Sequence, residues 1–290
     1  MIVIAKYDNR DRITDENILR LNASKTNKKL DILFIGSSYV YSGIIPGTFD
    51  SLGLNTFNLG VATSGPYFNE LIINDYLSSQ PAPGLICIAI AYTTFSEIAS
   101  DIWDQYPIHR YLDSPVSNEK VFLNYTNAKT YFAMLRKSFK KGSQNFLTGQ
   151  GGIDTVQLNL IKASKGYNKS LDYCTRLKLE EEEEIFNPYL KSTFNKKKEK
   201  KLIELIEKYS VAGINIVVVA PPTFKLKNFF SDKYKEEYQG FISRLKTKNI
   251  TFLTDIDEKY DPTCFRNTDH LNFKGAKIFS EFLKSKLTTL

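Results

Sequence analysis

The sequence predicts an α/β protein: a three-layer α/β/α sandwich around a central five-stranded, mostly parallel sheet, with a helical insertion. Three observations point there. Five short apolar or β-rich runs punctuate the chain, at Asp31 to Ile35, Thr56 to Leu59, Leu85 to Ala91, Ile214 to Ala220 and Ile250 to Leu253. Their apolar character is near-continuous rather than alternating, which marks strands covered on both faces. Segments of helical period lie between the runs, and strands that alternate with helices make a doubly wound sandwich.

Taken in order, the first run ends in Gly36-Ser37-Ser38 and the second in Asn58-Leu59-Gly60. A helix is expected from Ser64 or Tyr67 through Leu77, carrying Leu71, Ile72 and Tyr76 on one side. The third run ends in Tyr92-Thr93-Thr94, after which the rhythm breaks until Lys197. That stretch is rich in aromatic and charged residues, with a helix expected over Asn127 to Phe139 and a flexible linker over Gly142 to Gly152. It is too long for a simple crossover, so residues 97 to 197 or thereabouts read as an insertion or lid between strands three and four of a single domain spanning 1 to 290.

Helical period then returns at Lys198 to Tyr209, where Leu202, Leu205, Ile206 and Tyr209 stand at i, i+3, i+4 and i+7. The fourth run ends at Pro221-Pro222, which terminate a strand. In the last segment Asn272 is a helix cap, and Ala276, Phe279, Leu283 and Leu287 form one stripe.

Composition removes several function classes. The longest apolar runs, Leu85 to Tyr92 and Ile214 to Ala220, fall far short of the roughly 20 residues of a membrane-spanning helix. No basic start with an apolar stretch and a cleavage site is present, so the chain as given reads as cytoplasmic or membrane-associated, or as one from which an export leader has been removed. Cys87, Cys174 and Cys264 are an odd count without CxxC spacing, which disfavours a disulfide framework. His109 and His270 are the only histidines and neither has a partner at ligand spacing, so no metal is expected.

A net charge of +7 raises the question of nucleic acid, but the lysines are interleaved with acids and solubility explains them better. The Glu180 to Glu184 run and the Lys196 to Lys201 cluster read as solvated helix or loop. There is no Gly-Lys dipeptide and no GxGxxG, so a nucleotide cofactor has no site, and no GxSxG marks an α/β-hydrolase elbow. No cofactor is expected.

In an open parallel sheet the ligand crevice lies beyond the carboxyl ends of the strands. The residues there are a serine, a glycine, two threonines and, after the fifth run, Asp269-His270. A serine hydroxyl needs an adjacent imidazole to take its proton and N–H groups to hold the developing oxyanion. Ser38 would begin a helix, where the first amides are unpaired, and Gly60 would let a second amide approach. Each residue also has a plain structural use: Ser38 as a helix cap, Gly60 as a turn glycine, His270 as a histidine at a helix start. Tyr39, Tyr41 and Tyr67 stack on a sugar or, more often at such places, fill a core. His109, beside Arg110, reads as a surface or packing residue.

These segments resemble the SGNH/GDSL hydrolase superfamily, whose sandwich is flavodoxin-like. "DILFIGSSYVYSG" looks like its first block with Ser38 as nucleophile, and "FNLGVATSG" like its second with Gly60 as oxyanion donor. "NTDHLNFKGAKIFSEFL" looks like its last block, with His270 as general base. Two departures stand out. The third block, "ICIAIAYTTFSE", lacks the family's oxyanion Asn, leaving Thr93 or Thr94 as the nearest hydroxyl. The acid expected three residues before the histidine is Asn267, which can accept from the imidazole but cannot stabilise an imidazolium by charge. Asp269 should point elsewhere, and Asp255, Asp257 and Asp261 are the other candidates.

The resemblance implies a serine esterase or O-acyltransferase that works through an acyl-serine on O-acyl, notably O-acetyl, esters of a carbohydrate. Its partner would be a small-molecule or glycan acyl ester, with neither nucleic acid nor a transmembrane segment involved; the oligomeric state is not fixed. The competing expectation, motivated by the two departures, is a catalytically impaired glycan-binding or accessory protein on the same scaffold.

Overall fold

All five apolar runs are strands in the computed structural model, which describes residues 16–17, 19–26, 28–99, 155–168, 184–255 and 260–288. In chain order the elements are β1 (Ile32–Gly36), α1 (Ser38–Gly43), β2 (Thr56–Gly60), α2 (Pro66–Ser79), β3 (Leu85–Ala89), α3 (Thr155–Ala163), α4 (Lys196–Val211), β4 (Asn215–Ala220), α5 (Asp232–Thr247), β5 (Thr251–Thr254) and α6 (Phe273–Leu287). The sheet order is β2-β1-β3-β4-β5, and every neighbouring pair is parallel. β3 stops at Ala89 rather than Ala91, because Thr94 Oγ1 accepts the Ala91 N–H and turns the chain into a 3-10 turn at Tyr92–Phe95.

The two-residue period of a strand sorts side chains onto the two faces. Leu33, Ile35, Ile86, Ile88 and Val218 join one core with residues of α2, α4 and α5. Ile32, Phe34, Cys87, Ala89, Val217 and Val219 join the other with Val40 of α1 and the Ala276, Phe279, Leu283 and Leu287 stripe of α6. β1 is buried along its whole length. That burial explains its unbroken apolar run, since each large aliphatic or aromatic side chain taken from water contributes about 1.5–3 kcal/mol.

Helix ends follow the expected chemistry. Asn195 caps α4 by accepting from the Lys197 and Lys198 amides, and Asn272 caps α6 by accepting from Gly275 N. The basic cluster at the start of α4 meets acids: Lys196 pairs with Glu199 and Glu237, and Lys201 with Glu70. Lys198 departs from the solvated face; it is buried and donates to the carbonyls of Ser96 and Ala99. α5 was not anticipated. It buries Tyr234, Tyr238, Phe241, Ile242 and Leu245 on one stripe and is capped by Ser231.

Of the expected insertion, the described parts are residues 97–99, 155–168 and 184–197. The helix expected at Asn127 to Phe139, the Gly142 to Gly152 linker, His109, Cys174 and Asp257 lie outside the described residues. The turn after α3 lies along the edge strand β2, where Lys165 O accepts from Asn58 N, so the edge is covered rather than bare. The buried Arg20 clamps this junction, donating to Gly166 O at 2.9 Å and Gly60 O at 3.2 Å. Among the described residues, no helix is long and apolar enough to cross a membrane, Cys87 and Cys264 are buried free thiols, and no cluster of three metal-ligating side chains occurs.

Candidate active site

The strand order reverses at β1: the chain leaves it for β2 on one side and comes back to β3 on the other, which opens a crevice at their carboxyl ends. Gly36 makes the turn out of β1. Its φ of 148° and the crowding a Cβ would meet, Val40 Cγ2 at 2.7 Å and Ala89 O at 2.9 Å, leave room only for glycine. The chain passes Ser37 and opens α1 with Ser38, whose amide, in the first turn, has no intrahelical acceptor.

The histidine arrives on a separate loop, held as a small hairpin. Phe265 and Leu271 form a bridge, and Arg266 N donates to His270 O at 3.0 Å. Asn272, the cap of α6, ties the same loop from below by donating through Nδ2 to Thr263 O at 2.7 Å and Phe265 O at 3.4 Å. The outcome is that His270 Nε2 lies 2.6 Å from Ser38 Oγ, joining residues 232 apart in the chain.

Asn267 sets the ring. Its Oδ1 accepts the His270 backbone N–H at 2.8 Å and stands 3.1 Å from ring Nδ1. The backbone donor fixes which end of the amide faces the ring, so Nδ1 carries the proton and Nε2 is left as the acceptor for the Ser38 hydroxyl.

Asp269 does not point elsewhere, as its neighbouring position suggested. Its Oδ1 is 2.6 Å from His270 Nδ1. It makes no hydrogen bond, because it lies off the N–H direction that Asn267 occupies. Its Oδ2 accepts from the Tyr39 hydroxyl at 3.2 Å. The Tyr39 ring also stacks on the imidazole, with centroids 5.2 Å apart and planes 16° from parallel. Burial, with Asp269 adding to it, holds the Tyr39 phenol well above its usual range, so it stays protonated and able to donate at neutral pH.

Two residues expected as oxyanion donors have neighbours within hydrogen-bond distance. The Thr93 hydroxyl is paired with the Tyr39 hydroxyl, 3.0 Å from it, and either of the two can donate. The Gly60 N–H donates to the side-chain oxygen of Asn58 at 3.1 Å. Gly60 has a packing role: a Cβ there would meet Tyr41 N at 2.6 Å, Val40 Cβ at 2.8 Å and Ser37 O at 3.0 Å, so α1 sits directly on it. The Ser38 amide and the Thr94 hydroxyl remain at the rim.

Among the described residues, the other candidate carboxylates, Asp255 and Asp261, have partners of their own. Asp255 accepts from the Tyr260 hydroxyl at 2.8 Å. Asp261 accepts from Thr263 and Lys274, which hold its carboxyl down at about 2. Tyr41 lies under the Arg20 guanidinium, 4.9 Å from its ring centroid, and Tyr67 under Lys201 at 5.9 Å.

A cleft of about 280 Å³ opens beside Ser38. Its polar wall is Thr63, Ser64, Thr93 and Thr94; Ile98, Phe186 and Tyr189 form an apolar wall, all three from the inserted stretch. Thr63 holds φ of 59°, a left-handed conformation that strains a β-branched residue. Ser64 Oγ is buried without a hydrogen-bond partner among the described residues. Strain and an unsatisfied hydroxyl side by side are features that cluster at functional sites. Sequence reasoning missed both, as it missed the placement of Tyr39 against the imidazole.

No protein-family model and no curated protein matches the chain. Among solved structures it is similar to a lipolytic protein assigned to the G-D-S-L family from Desulfitobacterium hafniense DCB-2, with 12% identity, 88% of this chain and 97% of that chain covered, and a TM-score of 0.43. It is similar to a GDSL-like lipase from Bacteroides thetaiotaomicron VPI-5482, with 12% identity, coverage of 89% and 87%, and a TM-score of 0.41. A carbohydrate acetylesterase family member from Sinorhizobium meliloti aligns at 7% identity over 90% and 98% of the two chains, with a TM-score of 0.39.

Proposed function

We propose that the protein is a serine esterase or O-acyltransferase that forms an acyl-serine on Ser38. The observation that carries this is the 2.6 Å contact between Ser38 Oγ and an imidazole nitrogen whose tautomer makes it an acceptor. Ser38 Oγ attacks the ester carbonyl and His270 Nε2 takes its proton. The tetrahedral oxyanion is met by the Ser38 N–H, with the Thr94 hydroxyl as second donor. Collapse breaks the ester C–O bond, and His270 returns the proton to the departing alcohol. A second hydroxyl then repeats the sequence on the acyl-serine: water for hydrolysis, a sugar hydroxyl for transfer.

The cleft supports a small acyl group on a polyol. It is open, modest in volume, and pairs a wall of hydroxyls with the aromatic rings of Phe186 and Tyr189, a combination that suits an O-acetylated carbohydrate. The inserted stretch that carries those rings would shape the acceptor side. The competing accessory-protein reading rested on the absent third-block Asn and on Asn267 in the acid position; the Asp269 carboxylate 2.6 Å from His270 Nδ1 speaks against the second of these grounds.

Turnover of p-nitrophenyl acetate, with acetyl release measured in parallel from an acetylated oligosaccharide, tests the proposal. Ser38→Ala and His270→Ala should each abolish it, and the intact mass of the wild type under turnover should include an acetyl adduct that maps to Ser38. Equal residual rates in the wild type and both variants would rule the reading out.

A further inference from the structure

We infer that the two tasks a single aspartate performs for a catalytic histidine are divided in this protein: Asn267 orients the imidazole, Asp269 supplies the charge, and Tyr39 holds that carboxylate in place. The inference rests on the esterase reading and concerns three positioning residues around its base.

In a Ser-His-Asp arrangement the carboxylate accepts the Nδ1 proton and stabilises the imidazolium that forms when the serine proton is taken. Orientation needs an acceptor on the N–H axis; charge stabilisation needs only a short distance, because the Coulomb term falls as 1/r and has no direction. Here the axial acceptor is the neutral Asn267 Oδ1 at 3.1 Å. The negative charge is the off-axis Asp269 Oδ1 at 2.6 Å. Neither residue alone does both.

A carboxylate beside a histidine in sequence has free rotation about its side-chain bonds and no intrinsic reason to turn toward the ring. Tyr39 provides one. Its hydroxyl lies within hydrogen-bond distance of Asp269 Oδ2, to which it donates, and of Thr93 Oγ1, and its ring stacks on the imidazole. Tyr39 follows the nucleophile directly on α1, so the element that carries Ser38 also carries the clamp. The chain Thr93, Tyr39, Asp269, His270 thus links the end of β3, the start of α1 and the histidine hairpin.

The test combines kinetics with the ring's ¹⁵N spectrum, which reports which nitrogen bears the proton; with only two histidines in the chain, His109→Gln leaves His270 as the sole signal. Asp269→Asn should lower kcat by about 10²-fold, the scale of a general-base contribution, with KM unchanged. The Nδ1–H tautomer should survive in it. Asn267→Ala should mix the two tautomers. Tyr39→Phe keeps the stacked ring and should cost roughly tenfold in kcat, the scale of one hydrogen bond to a charged group. Tyr39→Phe with Asp269→Asn should be no worse than Asp269→Asn alone. Asn267→Asp placed in the Asp269→Asn background should recover most of the lost kcat by putting charge on the axis.

Wild-type kcat in Asp269→Asn, or losses that multiply in the Tyr39→Phe double variant, would overturn the inference. So would tautomer mixing in Asp269→Asn. If the wild type turns over no ester at all, the esterase reading fails, and the spectra still decide the division: a tautomer lost in Asn267→Ala and kept in Asp269→Asn upholds it, and any other pattern refutes it.

Discussion

Gly60→Ala separates two roles for one residue. The backbone N–H survives in alanine, so an oxyanion donor that acts through its amide alone predicts an enzyme much like the wild type. Packing predicts the opposite. The new Cβ would lie 2.6 Å from Tyr41 N and 2.8 Å from Val40 Cβ, against an ordinary contact of roughly 3.5 Å. The shortfall is most of an ångström, and the nearest atom is helix backbone, which cannot swing aside as a side chain does. α1 must back away from β2, taking Ser38 from its 2.6 Å contact with His270. Overpacking of this kind costs about 1–3 kcal/mol of stability. A displacement near 1 Å of a reacting group costs on the order of 10²-fold in rate. Urea unfolding and kcat/KM on p-nitrophenyl acetate measure the two. A Gly60→Ala protein of wild-type stability and rate would refute the packing argument and return the residue to the oxyanion role.

Two further outcomes follow from the same geometry. Asn272→Ala removes the α6 cap and the two bonds that brace the histidine hairpin; the urea midpoint should fall by the equivalent of about 1 kcal/mol, and kcat should fall together with the rate at which a fluorophosphonate labels Ser38. Burial would raise the Glu70 carboxyl, but bonds from Lys201 and Lys208 outweigh it and hold it below its usual value. A depressed carboxyl adds stability above its unfolded pKa and loses it as pH falls through the folded one. Stability should therefore drop as pH falls through and below the ordinary glutamate range, and Glu70→Gln should flatten the part of that drop it owns while costing about 1–2 kcal/mol at neutral pH; an unchanged slope in the variant would count against the pairing.

The sheet was legible because each strand is buried on both faces and so must be apolar throughout, and α4 and α6 because their stripes are aliphatic. α5 escaped notice because two of its buried positions are Tyr234 and Tyr238, which a hydropathy reading treats as half polar. Ser38, His270 and Asn267 were readable from strand ends and block order. Asp269 was misjudged from the rule that adjacent residues project to opposite sides, which holds for extended chain, whereas residues 266–269 form successive bends. The surroundings of Gly60 and Thr93 were not legible for a common reason: whether a donor is available depends on its other neighbours, and neither the Asn58 side chain nor the Tyr39 hydroxyl is placed by sequence spacing. The left-handed Thr63 leaves no mark in composition at all.

Ser38 follows β1, the second strand in the sheet order, while the imidazole sits beyond the last strand on a hairpin fastened to α6. During synthesis every strand is therefore available before the base exists. A nascent chain can complete its sheet and display a serine at the rim with nothing to activate it, so reactivity switches on only when the final helix docks. Under the proposed esterase reading, ester turnover would report the last step of assembly rather than the first, and a lesion in α6 would silence it while leaving most of the architecture standing.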